Sequence, residues 1–184
     1  MKVGGGVLKE VDAFDGVLAV LGAAARSRRL LIVPGGGPFA DVVRDVDRWL
    51  GLPDTAAHWM AVLAMDQYAH LIASRLPAGV LVAKPRAIAA AIDAHHLPVL
   101  APSRWLRETD PLPHSWHVTS DSIAAWVAGQ LGARRLVLVK PPCVQTSDEA
   151  VDSYFARALP AGLRTVIVPA DQIETLRSAL LAHS

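Results

Sequence analysis

The sequence predicts an α/β domain in which helices cover both faces of a mainly parallel sheet. Three observations predict it. Short apolar runs alternate with helical stretches along all 184 residues. The runs are apolar on both faces, as strands buried in a parallel sheet must be. Twice, a strand leads into three consecutive glycines with a helical stretch to follow, at Gly4, Gly5 and Gly6 and again at Gly35, Gly36 and Gly37.

The elements are expected in this order. A strand at Lys2–Gly4 opens the chain, and a helix over Asp12–Arg26 follows its glycine turn. The run RLLIV, Arg29–Val33, is the second strand, with a helix over Pro38–Leu50. Asp54 is positioned to cap a helix over Thr55–Arg75. Strand Gly79–Ala83, helix Arg86–Ala94 and strand Leu97–Leu100 come next. Ser103–Ser115, with Pro111 and Pro113, reads as an irregular loop. Thr119 or Ser120 caps a helix over Ser120–Leu131, and Gly132 stands where its C-terminus is expected. Strand Leu136–Val139, helix Asp148–Ala158, strand Arg164–Val168 and helix Asp171–Ala182 complete the series. No linker, repeat or low-complexity stretch interrupts it, so residues 1–184 are expected to form one domain.

Bulk properties narrow the function classes. A chain that is 52% hydrophobic and 19% charged is not a disordered one. A net charge of +1 gives no bulk attraction to nucleic acid or to a membrane surface. Cys143 is the one cysteine, which excludes an internal disulfide or a thiolate metal cluster within the chain. With no histidine near it in sequence, it reads as a buried thiol. No apolar run approaches the roughly 18 residues of a membrane span, and no leader-like segment is visible. A soluble, cytoplasmic protein is the expectation.

The glycine runs lie where strand C-termini feed helices, the edge at which open α/β sheets bind ligands. Bare backbone there lets N–H groups approach an anion, and the helix N-terminus adds partial positive charge. A tight turn with no ligand is the competing reading. Neither run carries the lysine and hydroxyl of a P-loop or the spacing of a dinucleotide fingerprint. Lys2 sits inside an apolar strand, so its ammonium must reach solvent or find an anion. Thr119, Ser120, Asp121 and Ser122 bunch four polar side chains where capping needs one. Asp121 is then a surplus carboxylate, placed to bind or align a lysine. Lys140 ends the next strand on the same edge.

These stretches, in this order, resemble the amino acid kinase family of small-molecule kinases. Lys2-Val3-Gly4-Gly5-Gly6 matches its opening strand, VPGGGPFAD its second loop, and TSDSIAAWVAGQLGARRLVLVK its third signature. The resemblance implies a three-layer α/β/α sandwich with a mainly parallel sheet. It implies that Lys2 and Gly4, Gly5 and Gly6 hold the transferring phosphoryl group of ATP, with Mg2+. It further implies that Asp121 orients Lys2, that Lys140 helps bind nucleotide, and that Gly35, Gly36, Gly37, Thr119 and Ser120 hold the acceptor. Within the family, VPGGGPFADVVR and TSDSIAAW look most like the furan-phosphate kinases of methanofuran and methylofuran synthesis, in one-carbon cofactor metabolism. The implied acceptor is an aminomethylfuran-methyl phosphate, whose amine would want a carboxylate such as Asp41 or Asp66. A nucleoside monophosphate, a carboxylate acceptor read by Arg44, and a non-catalytic anion-binding protein are the alternatives.

Two departures stand out. Gly6 occupies a position where the family usually has serine, and KPPCVQTSDEAVDSYF replaces the usual nucleotide-side segment. Pro141 and Pro142 remove two backbone donors there. The adenine is then held differently, or activity has been lost. His58 and His70 are too far apart for a metal pair and read as decoration of a packing or dimer helix. His95 and His96 read as a surface pair. Trp105 and Trp116 either stack on a flat ligand or pack in a core or interface, and His114 and His117 flank Trp116 in the same loop. Arg26, Arg28, Arg29, Arg134 and Arg135 read as solvated charges at the opposite edge. The Thr55–Arg75 helix, long, amphipathic and rich in Ala, Met and Trp, suggests a homodimer or higher homo-oligomer.

Overall fold

The computed structural model describes residues 1–142 and 150–182. Six parallel strands form the centre: β1 (Lys2–Val3), β2 (Val33–Pro34), β3 (Gly79–Val82), β4 (Leu97–Leu100), β5 (Arg135–Lys140) and β6 (Arg164–Pro169). The order β2-β1-β5-β6 forms one ladder and β3-β4 another. Ile32 joins them: its N–H donates to Pro98 at 3.0 Å and its carbonyl accepts from Leu100 at 2.9 Å. The second strand is therefore shorter than RLLIV suggests. Ile32 pairs with β4 while Val33 pairs with β1, and Leu30 and Leu31 fall outside the ladder.

Helices α1 (Val11–Ala24), α2 (Gly37–Leu50), α3 (Asp54–Arg75), α4 (Pro85–Asp93), α5 (Ser103–Thr109), α6 (Ser120–Gln130), α7 (Phe155–Ala158) and α8 (Ile173–Leu181) enclose the sheet. The two faces follow from a strand's period of two. Val137 and Val139 of β5 point into a core with Val3 and the apolar residues of α1 and α8. Leu136 and Leu138 point the other way, into a core with Ile123, Ala124 and Val127 of α6 and Trp105 and Leu106 of α5. Burying each such aliphatic side chain contributes about 1.5–3 kcal/mol. Helix α3 serves both cores: Val62 and Met65 belong to one, Tyr68, Ala69 and Ile72 to the other. It is therefore not the one-sided amphipathic helix expected from the sequence, because its apolar residues serve two cores rather than one stripe.

Three further expectations are corrected. Ser103–Ser115 is not irregular throughout, because Ser103–Thr109 is helical. Asp66 of α3 caps that helix from outside, accepting from the Ser103 N–H at 3.1 Å and from its hydroxyl. The expected Asp148–Ala158 helix is one turn, Phe155–Ala158, within the described residues; its first two positions, and Cys143, lie outside them. Three of the five opposite-edge arginines are not simply solvated. Arg135 donates to the carbonyls of Ala179 (2.6 Å) and Ala182 (3.2 Å), Arg28 donates to Leu181, and Arg29 pairs with Asp93 at 3.0 Å. Two of them thus neutralise the C-terminal carbonyls of α8. Among the described residues no helix is long and apolar enough to cross a membrane.

Candidate active site

Strand register creates the site. Lys2 lies level with Leu138, so in a parallel pair both face the α6 side of the sheet. Lys140, two residues beyond Leu138, faces the same way. Both ammonium groups therefore point at the first turn of α6, where Asp121 is waiting. Lys140 Nζ donates to Asp121 Oδ2 at 2.6 Å, and Lys2 Nζ lies 2.8 Å from Oδ1. The Lys2 contact has ion-pair distance without hydrogen-bond alignment, so Oδ1 keeps unmet accepting capacity.

All three side chains are withdrawn from water: Lys2 is 3% exposed, Asp121 5% and Lys140 7%. Burial alone would raise the Asp121 carboxyl, but Lys2 and Lys140 together hold it below the ordinary range. Burial, then the neighbouring Lys2, pushes Lys140 down, with Asp121 and Asp152 opposing. Two ammoniums share one carboxylate. The surplus positive charge in a buried place is costly unless an anion completes it. Phosphoryl oxygens are anions of the right kind, so this cluster fits a nucleotide's phosphates.

The glycine runs meet at the same edge. The Gly4 N–H donates to Val139 at 2.8 Å and the Gly35 N–H to Val3 at 2.8 Å, setting both turns side by side. Their backbones touch: a Cβ on Gly5 would run into the Gly37 amide, and one on Gly35 would lie 2.5 Å from the Gly5 nitrogen. Bare backbone at Gly5 and Gly35 is thus required by the loops' contact with each other. Gly5, Gly6 and Gly36 are partly open, and the first turns they begin leave amides without intrahelical partners. Gly35 and Gly37 are buried within the junction.

From this junction a narrow cleft opens between α2, α3 and the loop before α6. Gly36, Thr119 and Ser120 line it near the glycine junction, and Ala57, Val62, Met65 and Ile123 give it an apolar floor. Arg44, Asp54 and Trp116 line it as well. Arg44 lies over the Trp116 ring at 5.0 Å and pairs with Asp41 at 3.0 Å; Trp116 donates to Asp47 at 2.7 Å. His58 also lines the cleft and stacks on His114, ring centres 4.2 Å apart. Burial and the His114 neighbour push His58 down to about 4, so it is neutral at ordinary pH.

Comparison with known proteins decides the family. The profile described as the amino acid kinase family matches residues 1–141. The chain belongs to the amino acid kinase family. It is a phosphotransferase, and membership implies ATP use. It is 28% identical over 158 residues to an aminomethylfuran-methyl phosphate kinase of Methanocaldococcus jannaschii, covering 85% of this chain and 67% of that relative. Its fold matches the uridylate kinase of Archaeoglobus fulgidus (TM-score 0.71, 17% identity, 100% of this chain and 96% of that one). It also matches the UMP kinase of Ureaplasma parvum (TM-score 0.63, 14% identity, 93% and 88%).

For an amino acid kinase, the remaining candidates sort by location. Trp116 faces the cleft, whereas Trp105 is buried against Trp126 at 4.9 Å. Neither carboxylate considered for an acceptor amine fits: Asp66 caps α5, and Asp41 pairs with Lys9 and Arg44 on the outside. Asp54, read from sequence only as a helix cap, lines the cleft instead and makes no ion pair among the described residues. The departure at Gly6 also has a partner. A Cβ there would stand 2.6 Å from Pro141 Cγ, so the bare residue and the proline ring fit against each other. Asp152 is the neighbour of the site that sequence reading missed. It reaches back 30 residues or more to bind Thr119 and Ser122, a pairing without local signature.

Proposed function

We propose that this amino acid kinase transfers the γ-phosphoryl group of ATP to a phosphate-bearing acceptor, an aminomethylfuran-methyl phosphate, giving the diphosphate. The observation that carries the reading is the surplus cation of Lys2–Asp121–Lys140, buried at the first turn of α6, whose Ser120 lines the apolar cleft. An oxygen of the acceptor phosphate attacks the γ-phosphorus, and the bond to the β–γ bridging oxygen breaks, releasing ADP. Lys2 and Lys140 neutralise the charge gathered there, and Asp121 holds them apart and aligned. Gly5 and Gly6 face the ATP phosphates, while Gly36, with Thr119 and Ser120, borders the acceptor; Gly4, Gly35 and Gly37, expected from sequence to touch the ligands, are buried and shape the junction behind them. The carboxylate of Asp54 suits the acceptor's ammonium, and the apolar floor suits its ring. Among the described residues no cluster of three or more His, Cys, Asp or Glu could hold an ion. Mg2+ would be carried by the nucleotide and would shield the charge of its phosphates.

The name of the Methanocaldococcus jannaschii relative supports the furan acceptor. ADP release from purified protein with ATP and Mg2+ tests it, with the furan phosphate, UMP and a carboxylate as parallel acceptors. Turnover of UMP in preference to the furan phosphate would overturn the acceptor, and nucleotide binding without ADP release would overturn the kinase. Self-association belongs to the same proposal. Val42, Trp49 and Leu50 of α2 and Met60 and Leu63 of α3 are apolar and exposed. A monomer by light scattering would remove it.

A further inference from the structure

Asp152 makes more contacts than a solvated carboxylate has reason to make. Its Oδ2 accepts from the Thr119 N–H at 3.0 Å, the Thr119 hydroxyl at 2.7 Å and the Ser122 N–H at 3.0 Å. Its Oδ1 accepts from the Ser122 hydroxyl, and from the Tyr154 N–H at 3.2 Å. Thr119, the residue at the N-cap of α6, is left with only a 3.5 Å approach from the Asp121 N–H. The first turn of α6 is therefore held from outside, by a residue 30 positions downstream. The donors sit at 119 and 122, immediately either side of Ser120 and Asp121. Capping a helix needs one acceptor; here one carboxylate clamps both flanks of the residue that separates the two lysines.

We propose that Asp152 is a positioning residue of the phosphoryl-transfer centre, fixing the first turn of α6 so that both Asp121 oxygens face Lys2 and Lys140. This rests on the reading that those lysines act on the transferring group. Three charged groups face Lys140 among the described residues: Lys2 from β1, Asp121 from α6, and Asp152 from the chain before α7. Asp152 thus also adds a second negative charge that opposes the downward push of burial and Lys2 on Lys140.

The test compares Asp152→Asn with Ser122→Ala. Asparagine keeps one accepting oxygen and the shape of the clamp but removes the charge; alanine at 122 removes one clamp donor and leaves the charge. Asp152→Asn is expected to lower kcat about tenfold or more, with the acceptor KM within about threefold. It should also move the alkaline limb of kcat to lower pH. Ser122→Ala should lower kcat severalfold without moving that limb. A direct titration of Lys140 by carbon NMR reads the same shift without any turnover. A wrong acceptor therefore leaves the inference measurable, and a Lys140 titration unchanged in Asp152→Asn sinks it. If Asp152→Asn melts early yet keeps kcat and its pH profile at low temperature, Asp152 is only a helix clamp and the inference fails. Should that variant not fold, an undiminished kcat in Ser122→Ala would be the refuting result.

Discussion

Asp121→Asn is the most informative single change. The substitution keeps shape and removes one negative charge from between two ammoniums, each under a tenth exposed. Breaking a buried ion pair by removing one partner typically costs about 3–5 kcal/mol, because the remaining charge is stranded. Here two charges are stranded beside each other, so a loss of at least about 3 kcal/mol is expected at neutral pH. Part of it should return as pH rises. A lysine whose pKa is lowered by folding binds fewer protons folded than unfolded, so stability increases with pH toward the lysine's ordinary value. The intact protein has a separate acid-side dependence, since Asp121 is held below its usual range. Its contribution is full above the unfolded carboxyl pKa and is lost as pH falls through the folded one. Misaligned lysines should also lower kcat by about 10²-fold or more. Urea denaturation at several pH values, with coupled ADP release, measures both. An unaltered midpoint and unaltered kcat would show that Asp121 does no more than begin a helix.

Lys2→Ala is expected to abolish turnover with the circular-dichroism melt retained; normal kinetics would remove Lys2 from the chemistry. Gly6→Ala places a methyl against the Pro141 ring and should destabilise by about 1–3 kcal/mol. Pro141→Ala should rescue it with a coupling above about 0.5 kcal/mol, and strict additivity would refute the link. Stability should fall as pH drops from 6.5 toward about 4, because unfolding frees His58 to take a proton it refuses in the fold. His58→Asn should flatten that slope in urea titrations, and an unchanged slope would place the effect elsewhere.

What sequence could reveal here was what is local or periodic. Apolar runs bounded by turn residues identify the strands, and the period of two puts Lys2 and Lys140 on one face once register is known. Asp121 stands out because capping needs fewer polar groups than Thr119–Ser122 supplies. The missed features depend on partners distant in the chain. Helix α5 forms in a proline-containing stretch because Asp66 caps it and because Trp105 and Leu106 are buried. Leu30 and Leu31 look like strand residues, yet Ile32 hands the chain from β4 to β1. Asp54 reads as an ordinary cap until α2 and the loop before α6 close a cleft around it. The glycines suggest anion binding by their composition, while the reason at Gly5 and Gly35 is each other.

The contact between Gly5 and Gly35 has an evolutionary consequence. With no side chain possible on either partner, neither turn can be retuned alone, and a change in one must be absorbed by its neighbour. Selectivity for different small molecules would then have to be altered farther out, along the walls of the cleft, while this seam stays frozen.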